Sequence, residues 1–314
     1  MPVQSSAKKL TTISHGYYRP YFYWMFPIVV AKEEDLFGSS GIDLRVHDIA
    51  PQGQPEDKAD WYKGAFEKRS RDFYFCCAWQ GIYSTAETGK GRIGAALKST
   101  LIKTFAIYSK PESGISNVLD LIERGTAIAV NKNADAHYVT LKNLSEFVPE
   151  SQIKLVHIGG IEKCFKSLIA DEVEAATLAG PYAEAAEAIG YKRILALSRT
   201  EPTVIVFNDD LEQRAAASFL VAVNKAIHLI NKDRAKYEKR YVQEFEEVVE
   251  EYLPELRGDL PMIKPKLTLP TWADSTLLSK GEFMEIHSFL LDHGLATRGP
   301  GYEGAVTQDL AVVR

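Results

Sequence analysis

Cysteine is scarce in this 314-residue chain, which has three, two of them adjacent at Cys76 and Cys77 and the third at Cys164. Three thiols cannot form a disulfide framework, and no Cys-x-x-Cys or histidine-rich spacing indicates a zinc site. Net positive charge is also lacking, since the formal charge at pH 7 is −5. Nucleic acids and anionic membrane surfaces attract proteins through a basic field, so we expect neither as a partner.

Long apolar runs are missing as well. The uncharged stretch at residues 20–31 has 12 residues, against the ~20 that a membrane-spanning helix needs. The first nine residues contain two lysines, and no apolar core with a small-residue cleavage site follows them, so no export signal is predicted. On that ground we expect a cytoplasmic protein without membrane insertion, or a periplasmic one if a leader has been removed.

Signatures of several enzyme classes are absent. The sequence has no glycine-rich dinucleotide loop, no serine-triad signature and no His-Glu-x-x-His. The glycine-rich residues 89–94 do not match a Walker A loop, and we interpret them as a turn. We therefore expect neither a cofactor nor a metal ion.

What the chain does have is a regular alternation of short β-rich runs and amphipathic segments. Strands are predicted at residues 11–15, 43–48, 73–77, 105–108, 127–130, 154–157, 175–178, 193–197 and 203–207. Helices are predicted at residues 26–36, 57–67, 135–147, 161–169, 182–189, 209–231, 233–253 and 273–293. This alternation is typical of βαβ units and indicates an α/β fold with largely parallel sheets. The chain is roughly twice the typical domain length, so we expect two lobes.

One pair of segments resembles a known family. Residues 27–37 read Pro-Ile-Val-Val-Ala-Lys-Glu-Glu-Asp-Leu-Phe and are followed by Gly-Ile-Asp-Leu at residues 41–44. This order resembles the SsuA/THI5-like (NMT1-like) branch of the type II periplasmic-binding-protein superfamily. The resemblance implies a two-lobed α/β fold with a ligand cleft between the lobes. Ligands of open α/β folds bind at the carboxyl ends of strands, where the topology switches.

The resemblance also implies a discontinuous division of the chain. Residues 1–108 would form the first part of lobe I, and residues 109–202 would form lobe II. Residues 203–314 would return to lobe I and add the C-terminal helices.

The first candidate site follows the strand predicted at residues 73–77. Cys76, Cys77, Trp79 and Gln80 would lie near its carboxyl end, and the resemblance implies that this segment borders the ligand. A thiol at the start of a helix can act as a nucleophile. The alternative is that both thiols pack as small apolar groups, because free cysteine is among the most buried residue types.

The second candidate is the predicted turn at residues 131–138, between a strand and a helix. The exposed N–H groups and the dipole of such a helix start favour a carboxylate, sulfonate or phosphate. Asp135 would either border this ligand or only cap the helix. His137 would act as a general acid or base, or it is a surface histidine.

Two further turns follow strands of the predicted second lobe. Gly159 follows the strand at residues 154–157, and Gly180 and Tyr182 follow the strand at residues 175–178. The resemblance implies ligand contacts at the latter turn, although these residues could equally only shape it. Residues 199–202, which include Arg199 and Glu201, lie near the expected return to lobe I and could form a hinge or a cleft wall.

The aromatic segment, residues 15–24, is the last candidate. Its rings could stack on a flat or apolar ligand while their polar atoms bond its oxygens. The candidate residues are His15, Tyr18, Tyr21 and Trp24, and Arg19 could pair with a carboxylate in bidentate geometry. The alternative is that many of these rings only anchor the first helix to the sheet.

Two functions from different classes fit this sequence. The missing leader favours an intracellular lyase-like or isomerase-like enzyme of small-molecule biosynthesis, acting on an organic acid or heterocycle by cofactor-independent proton transfer, decarboxylation or elimination. His137 would be its acid–base group, facing Cys76 or Cys77 across a closed cleft. The alternative is the substrate-binding protein of an ABC transporter for a small organic anion or heterocycle. In either case the partner is a small molecule, and the sequence also permits a homodimer.

Overall fold

Ten β-strands form two five-stranded sheets in the part of the chain that the computed structural model describes, which is residues 10–48, 58–296, 299–307 and 310. The strands are β1 (Thr11–Tyr17), β2 (Ile42–Asp48), β3 (Phe73–Cys77), β4 (Arg92–Leu97), β5 (Ala106–Ser109), β6 (Ile128–Val130), β7 (Leu155–His157), β8 (Ala175–Leu178), β9 (Lys192–Ala196) and β10 (Thr203–Phe207).

Helices surround both sheets. They are α1 (Phe22–Glu33), α2 (Leu36–Ser39), α3 (Lys58–Glu67), α4 (Ala78–Thr88), α5 (Val118–Glu123), α6 (Asp135–Leu144), α7 (Ile161–Ile169), α8 (Pro181–Ala188), α9 (Gln213–Lys232), α10 (Arg234–Tyr252), α11 (Leu260–Ile263), α12 (Lys280–Asp292) and α13 (Tyr302–Ala305). Short 3₁₀ turns lie at Arg19–Tyr21, Thr100–Thr104, Pro111–Ser113, Glu150–Gln152, Pro254–Asp259 and Lys264–Lys266. No helix of the described residues is both long and apolar enough to cross a lipid bilayer.

The two sheets have the same strand order. The first sheet is ordered β2-β1-β3-β10-β4, and the second is ordered β7-β6-β8-β5-β9. In each sheet one strand runs against the others: β10 is antiparallel to β3 and β4, and β5 is antiparallel to β8 and β9. That strand is the one that the chain forms directly after crossing from the other sheet. The fold is therefore α/β with two lobes, as the sequence predicted.

We call the first sheet with its helices the first lobe, and the second sheet with its helices the second lobe. Strand β10 begins at Thr203 and pairs within the first sheet. The predicted domain boundaries at residues 108 and 202 stay a prediction.

Helix α1 anchors the core of the first lobe. It is uncharged up to Ala31, and most of its side chains are buried, because apolar residues lie on more than one face of the helix. Phe22 and Phe26, one helical turn apart, both contact Tyr241 of α10, with ring centroids 5.1 and 5.3 Å away. These ring contacts join α1 to the C-terminal helix α10, and the predicted anchoring of the first helix to the sheet stays a prediction.

Several element bounds differ from the sequence prediction, and two of these differences have a clear physical reason. Residues 89–94 were predicted as a turn, but β4 begins at Arg92. Gly94 is suited to this strand because the ring of Phe207 on β10 occupies the space that a Cβ would need. The last helix begins at Lys280 rather than at residue 273, because a capping box between Ser279 and Glu282 starts it there. The residues before it are extended, with a bridge between Thr276 and β4.

Candidate functional site

A cavity of about 60 Å³ lies between the two lobes. The carboxyl end of β3 in the first sheet and the carboxyl ends of β6 and β7 in the second sheet lead into its wall. The residues that line it are Tyr21, Tyr23, Trp24, Met25, Phe75, Cys76, Cys77, Gln80, Asn131, Ala134, Asp135, Ile161 and Thr203.

The first lobe provides the aromatic part of this wall. Tyr21, Tyr23 and Trp24 come from the aromatic segment, and Phe75 comes from β3. The rings of Tyr23 and Trp24 lie 5.3 Å apart. Complete burial raises the pKa of Tyr23 well above its ordinary value, so its phenol stays protonated. This side of the cavity is an apolar surface that can pack against the carbon skeleton of a ligand.

Three helix N-termini meet at the cavity. Helix α4 begins after Cys77, whose Sγ accepts the N–H of Gln80 at 3.4 Å. Helices α6 and α7 begin after Ala134 and Gly160, neither of which caps its helix with a side-chain hydrogen bond. The first N–H groups of a helix have no partner within the helix and carry a partial positive charge. Together the three helix starts form an environment that favours an anion.

Two amide side chains of the wall are incompletely bonded. Gln80 and Asn131 are only 5% and 4% exposed. Within the described residues, Gln80 Nε2 and Asn131 Oδ1 have no hydrogen-bond partner. A buried polar atom without a partner costs free energy, and most buried polar groups have one. Both atoms are therefore suited to bond a ligand in the cavity.

A buried ion pair supports one side of the cavity. Asp135, at the first position of α6, accepts a hydrogen bond from Arg199 Nη1 at 3.0 Å. The guanidinium of Arg199 is fully buried and lies over the rings of Trp24 and Phe105, 5.0 and 4.8 Å from their centroids. The sequence had placed Arg199 only near a hinge or cleft wall. The signal available was an arginine at the expected return crossing, which does not reveal its partner.

Direct contacts between the lobes close the cavity. Tyr18 donates a hydrogen bond to Glu162 Oε1 at 3.0 Å, and Tyr182 donates one to the carbonyl of Pro20 at 2.6 Å. Gly180 has φ +56°, and a Cβ there would lie 2.7 Å from the Tyr23 ring. Only glycine combines this backbone conformation with so close an approach. The structure therefore shows the closed arrangement of the lobes.

The predicted site residues fall into two groups. Those that line the cavity are Tyr21, Trp24, Cys76, Cys77, Gln80 and Asp135. Those that lie outside its lining are His15, Tyr18, Arg19, Trp79, His137, Gly159, Gly180, Tyr182 and Glu201. Lining residues that the sequence did not single out include Met25, Phe75, Ile161 and Thr203. Ligand contact by any of these residues stays a prediction.

His137 is not among the residues that line the cavity, and its pairing with the two thiols stays a prediction. Its Nδ1 accepts the backbone N–H of Asn133 at 3.3 Å, which turns the ring toward the start of its own helix. Burial, with smaller contributions from Lys132 and His157, lowers the pKa of His137 to about 4. The hydrogen bond from Asn133 uses the one lone pair of the neutral ring, and the acid–base role of His137 stays a prediction.

Arg19 and Glu201 each pair with protein side chains. Arg19 forms ion pairs with α10, to Glu244 at 3.5 Å and to Glu247. Glu201 accepts a hydrogen bond from Lys142 Nζ at 3.2 Å. Their charges are therefore compensated within the protein, and Arg19 does not need a ligand carboxylate as a partner.

Trp79 and His15 are packed into the core. Trp79 stacks on Tyr138 at 5.2 Å, and His15 stacks on Phe73 at 4.3 Å. Desolvation lowers the pKa of His15 to about 3, so the imidazole is neutral. Gly159, with φ +122°, shapes the turn that leads to α7. No group of three or more His, Cys, Asp or Glu side chains in the described part of the chain could hold a metal ion.

Comparisons with known proteins were made with both sequence and structure. No protein-family model and no curated protein matches the sequence. The alkanesulfonate-binding protein SsuA from Xanthomonas axonopodis pv. citri, solved with MOPS, has a TM-score of 0.74 at 16% identity, covering 96% of this chain and 99% of that one.

Two further solved structures are similar over most of their length. The periplasmic aliphatic sulphonate binding protein SsuA from Escherichia coli has a TM-score of 0.67 at 14% identity, covering 96% and 93% of the two chains. The CA3427 gene product of Candida albicans, described as having the generic periplasmic binding protein fold, has a TM-score of 0.66 at 13% identity, covering 95% and 97%. Such low identities show the fold alone. The chain therefore has the two-lobed fold of the periplasmic binding proteins.

Proposed function

We propose that this protein is a solute-binding protein that closes its two lobes over a small organic anion, the role that the sequence offered as its alternative. The observation that carries the proposal is the meeting of three helix N-termini at a closed cavity between the lobes. The Gln80 amide nitrogen there, which lacks a partner among the described residues, adds a donor. A binding protein needs only such preformed polar groups and a means of excluding water.

The fold comparison supports the same ligand class. Two of the similar structures are sulfonate-binding proteins, and one of them holds MOPS, which carries a sulfonate group. A sulfonate or a carboxylate suits helix N-termini because its charge is spread over several acceptor oxygens. We infer a ligand with one such group and a short apolar part that contacts the first-lobe rings.

The size of the cavity limits the ligand. At about 60 Å³ it has space for on the order of four water-sized groups, whereas pockets for drug-sized ligands measure roughly 300–1,000 Å³. A ligand of a few heavy atoms fits the closed arrangement, and a larger one requires the lobes to move apart.

Calorimetric titration of small sulfonates and carboxylates tests the proposal, with Gln80→Met as the site variant. We expect at least one anion to bind, and Gln80→Met to bind it about tenfold more weakly because one hydrogen bond to a charged group is lost. Gln243→Met is the matched control, since Gln243 bonds Glu247 on the exposed face of α10. Binding of neutral analogues but of no anion would contradict the proposal.

Catalysis is the second candidate, because both Cys76 and Cys77 line the cavity. The two residues are 7% and 6% exposed, and their position in the cavity wall places them next to any ligand inside it. Incubation of the bound compound with the protein, followed by mass spectrometry, separates the two functions. A mass change that Cys76→Ala or Cys77→Ala abolishes supports an enzyme, and a compound recovered unchanged supports the binding protein.

A further inference from the structure

Arg199 contacts both lobes although it is not one of the cavity-lining residues. It lies between β9 and β10, where the chain returns to the first lobe. Its side chain contacts Trp24 on α1, Phe105 between β4 and β5, and Asp135 on α6. The two rings and the carboxylate hold the guanidinium in one position, fully buried.

Asp135 places a negative charge in the wall of a cavity that is proposed to bind an anion. Among the described lining residues it is the one acidic or basic side chain. Its Oδ1 accepts the N–H of Ala136 at 2.9 Å, and its Oδ2 accepts from Arg199. A carboxylate in the wall without a compensating charge would repel an anionic ligand. Between charges a few ångströms apart inside a protein, that repulsion lowers affinity by on the order of tenfold or more.

We propose that Arg199 is the residue that sets the charge preference of the cavity, because it cancels the charge of Asp135 from behind the wall. The proposal rests on the proposed binding of an anion. Arg199 is a positioning and charge-compensating residue and does not contact the ligand. Its Nε and Nη2 have no hydrogen-bond partner among the described residues. Arg199 therefore supplies a compensating positive charge rather than a complete hydrogen-bond network.

The test compares methanesulfonate with dimethyl sulfone, two probes of nearly the same shape that differ by one negative charge. Ligand-observed NMR titration gives the ratio of their affinities for the wild type, Arg199→Met, Asp135→Asn and the double variant. We expect the wild type to prefer methanesulfonate. Arg199→Met should reduce the ratio about tenfold or more, since Asp135 then faces the anion uncompensated. The double variant should recover to within about threefold of the wild type, because the pair is again neutral.

The outcomes separate this inference from the proposed function. A wild type that shows no preference for methanesulfonate overturns both. A wild-type preference that Arg199→Met leaves unchanged overturns only the role of Arg199, as does a double variant that remains as impaired as Arg199→Met. If Arg199→Met does not fold, Asp135→Asn decides: the proposal requires the ratio to rise, and an unchanged or lower ratio contradicts it.

Discussion

The two lobes share one strand order but contribute different chemistry to the cavity. The first lobe supplies all four aromatic lining residues, whereas the second supplies two helix starts and the side chains of Asn131 and Asp135. Equivalent topology therefore does not impose equivalent chemistry. The difference arises in the segments after the strands, whose residues the fold does not dictate.

Strands β1 and β6 make this contrast concrete, because they occupy the same place in their sheets. After β1 the chain enters the ring-rich Arg19–Tyr21 turn and α1. After β6 it forms a short polar turn, with Asn133 at φ +57°, and starts α6 at Asp135. The first lobe thus offers an aromatic surface for the ligand skeleton and one helix start, and the second offers the other two helix starts for its charge.

The largest effect that we expect is a pH-dependent loss of stability caused by two buried histidines, one in each lobe. The pKa of His15 is lowered to about 3 and that of His137 to about 4, in both cases mainly by desolvation. The unfolded chain binds their protons near the ordinary pKa of 6.5, so the folded state loses stability as pH falls from there toward each folded pKa. Between about pH 7 and pH 4, each histidine should cost about 3 kcal/mol of unfolding free energy.

Urea denaturation over this pH range measures that loss. His15→Phe, which keeps a ring stacked on Phe73, should remove the share of His15. His137→Asn, whose amide oxygen can accept the Asn133 N–H, should remove the share of His137. Below about pH 4 only the His15 effect should continue to grow. Variants with the same pH dependence as the wild type would contradict the buried, neutral state of these rings.

The close contact between the two lobes at Gly180 can be disrupted by a substitution. Gly180→Ala forces an L residue into φ +56° and pushes its Cβ against the Tyr23 ring. We expect a loss of about 2–4 kcal/mol in unfolding free energy from backbone strain and overpacking together. Gly190→Ala is the control, because Gly190 has φ +88° and nothing within 4 Å of its Cβ, and it should cost only about 1–2 kcal/mol. Equal losses at both positions would show that the contact between the lobes contributes nothing.

Each lobe donates one tyrosine hydrogen bond to the other, and the strengths of the two bonds can be compared. Tyr18 of the first lobe bonds a carboxylate of the second, whereas Tyr182 of the second lobe bonds a backbone carbonyl of the first. Tyr18→Phe should therefore cost about 1.5–3 kcal/mol and Tyr182→Phe about 0.5–1.5 kcal/mol, since hydrogen bonds to charged groups are stronger. Chemical denaturation of both variants gives the order, and a larger loss in Tyr182→Phe would be incompatible with it.

The smallest effect that we expect is that of Gln80→Met, which should raise the stability of the free protein and lower its affinity for the ligand. Gln80→Met removes a buried amide whose Nε2 lacks a partner among the described residues. In the absence of ligand the variant should be about 1 kcal/mol more stable, because the desolvation cost of the amide disappears. Thermal unfolding without ligand, set beside the affinity of the same variant, checks this. A variant that loses both stability and affinity would indicate that Gln80 is structural.

Much of the fold could be predicted from local sequence. Strands β3, β8 and β10 and helix α7 have the predicted bounds, because each is a short run with one clear periodicity between breaking residues. Strand β4 could not be predicted in this way, since Arg92–Leu97 contains a glycine and two alanines and is stabilised by pairing with β10, more than 100 residues later.

The sequence predicted the region of the candidate site but not all the side-chain contacts that form its wall. The ends of β3 and β6 were identified, and Cys76, Cys77, Gln80 and Asp135 do line the cavity. Arg199 was not assigned its partner, because its burial depends on side chains from three separate segments that meet only after the lobes close. Side-chain placement across a cleft is a long-range property, and a single sequence contains no direct signal for it.

The chain returns to the first sheet at β10 after it has formed the second sheet. This return affects the order in which the two lobes fold during synthesis. All five strands of the second sheet lie within residues 106–196, so that lobe can be completed as soon as this stretch has left the ribosome. The first sheet cannot, because among the described residues the pairing partners of β4 are β10 and residues still later in the chain, so β4 must wait at least until residue 207 has been added. The lobe that is made first is therefore the one that is finished last, and its β4 is an unpaired edge in the meantime.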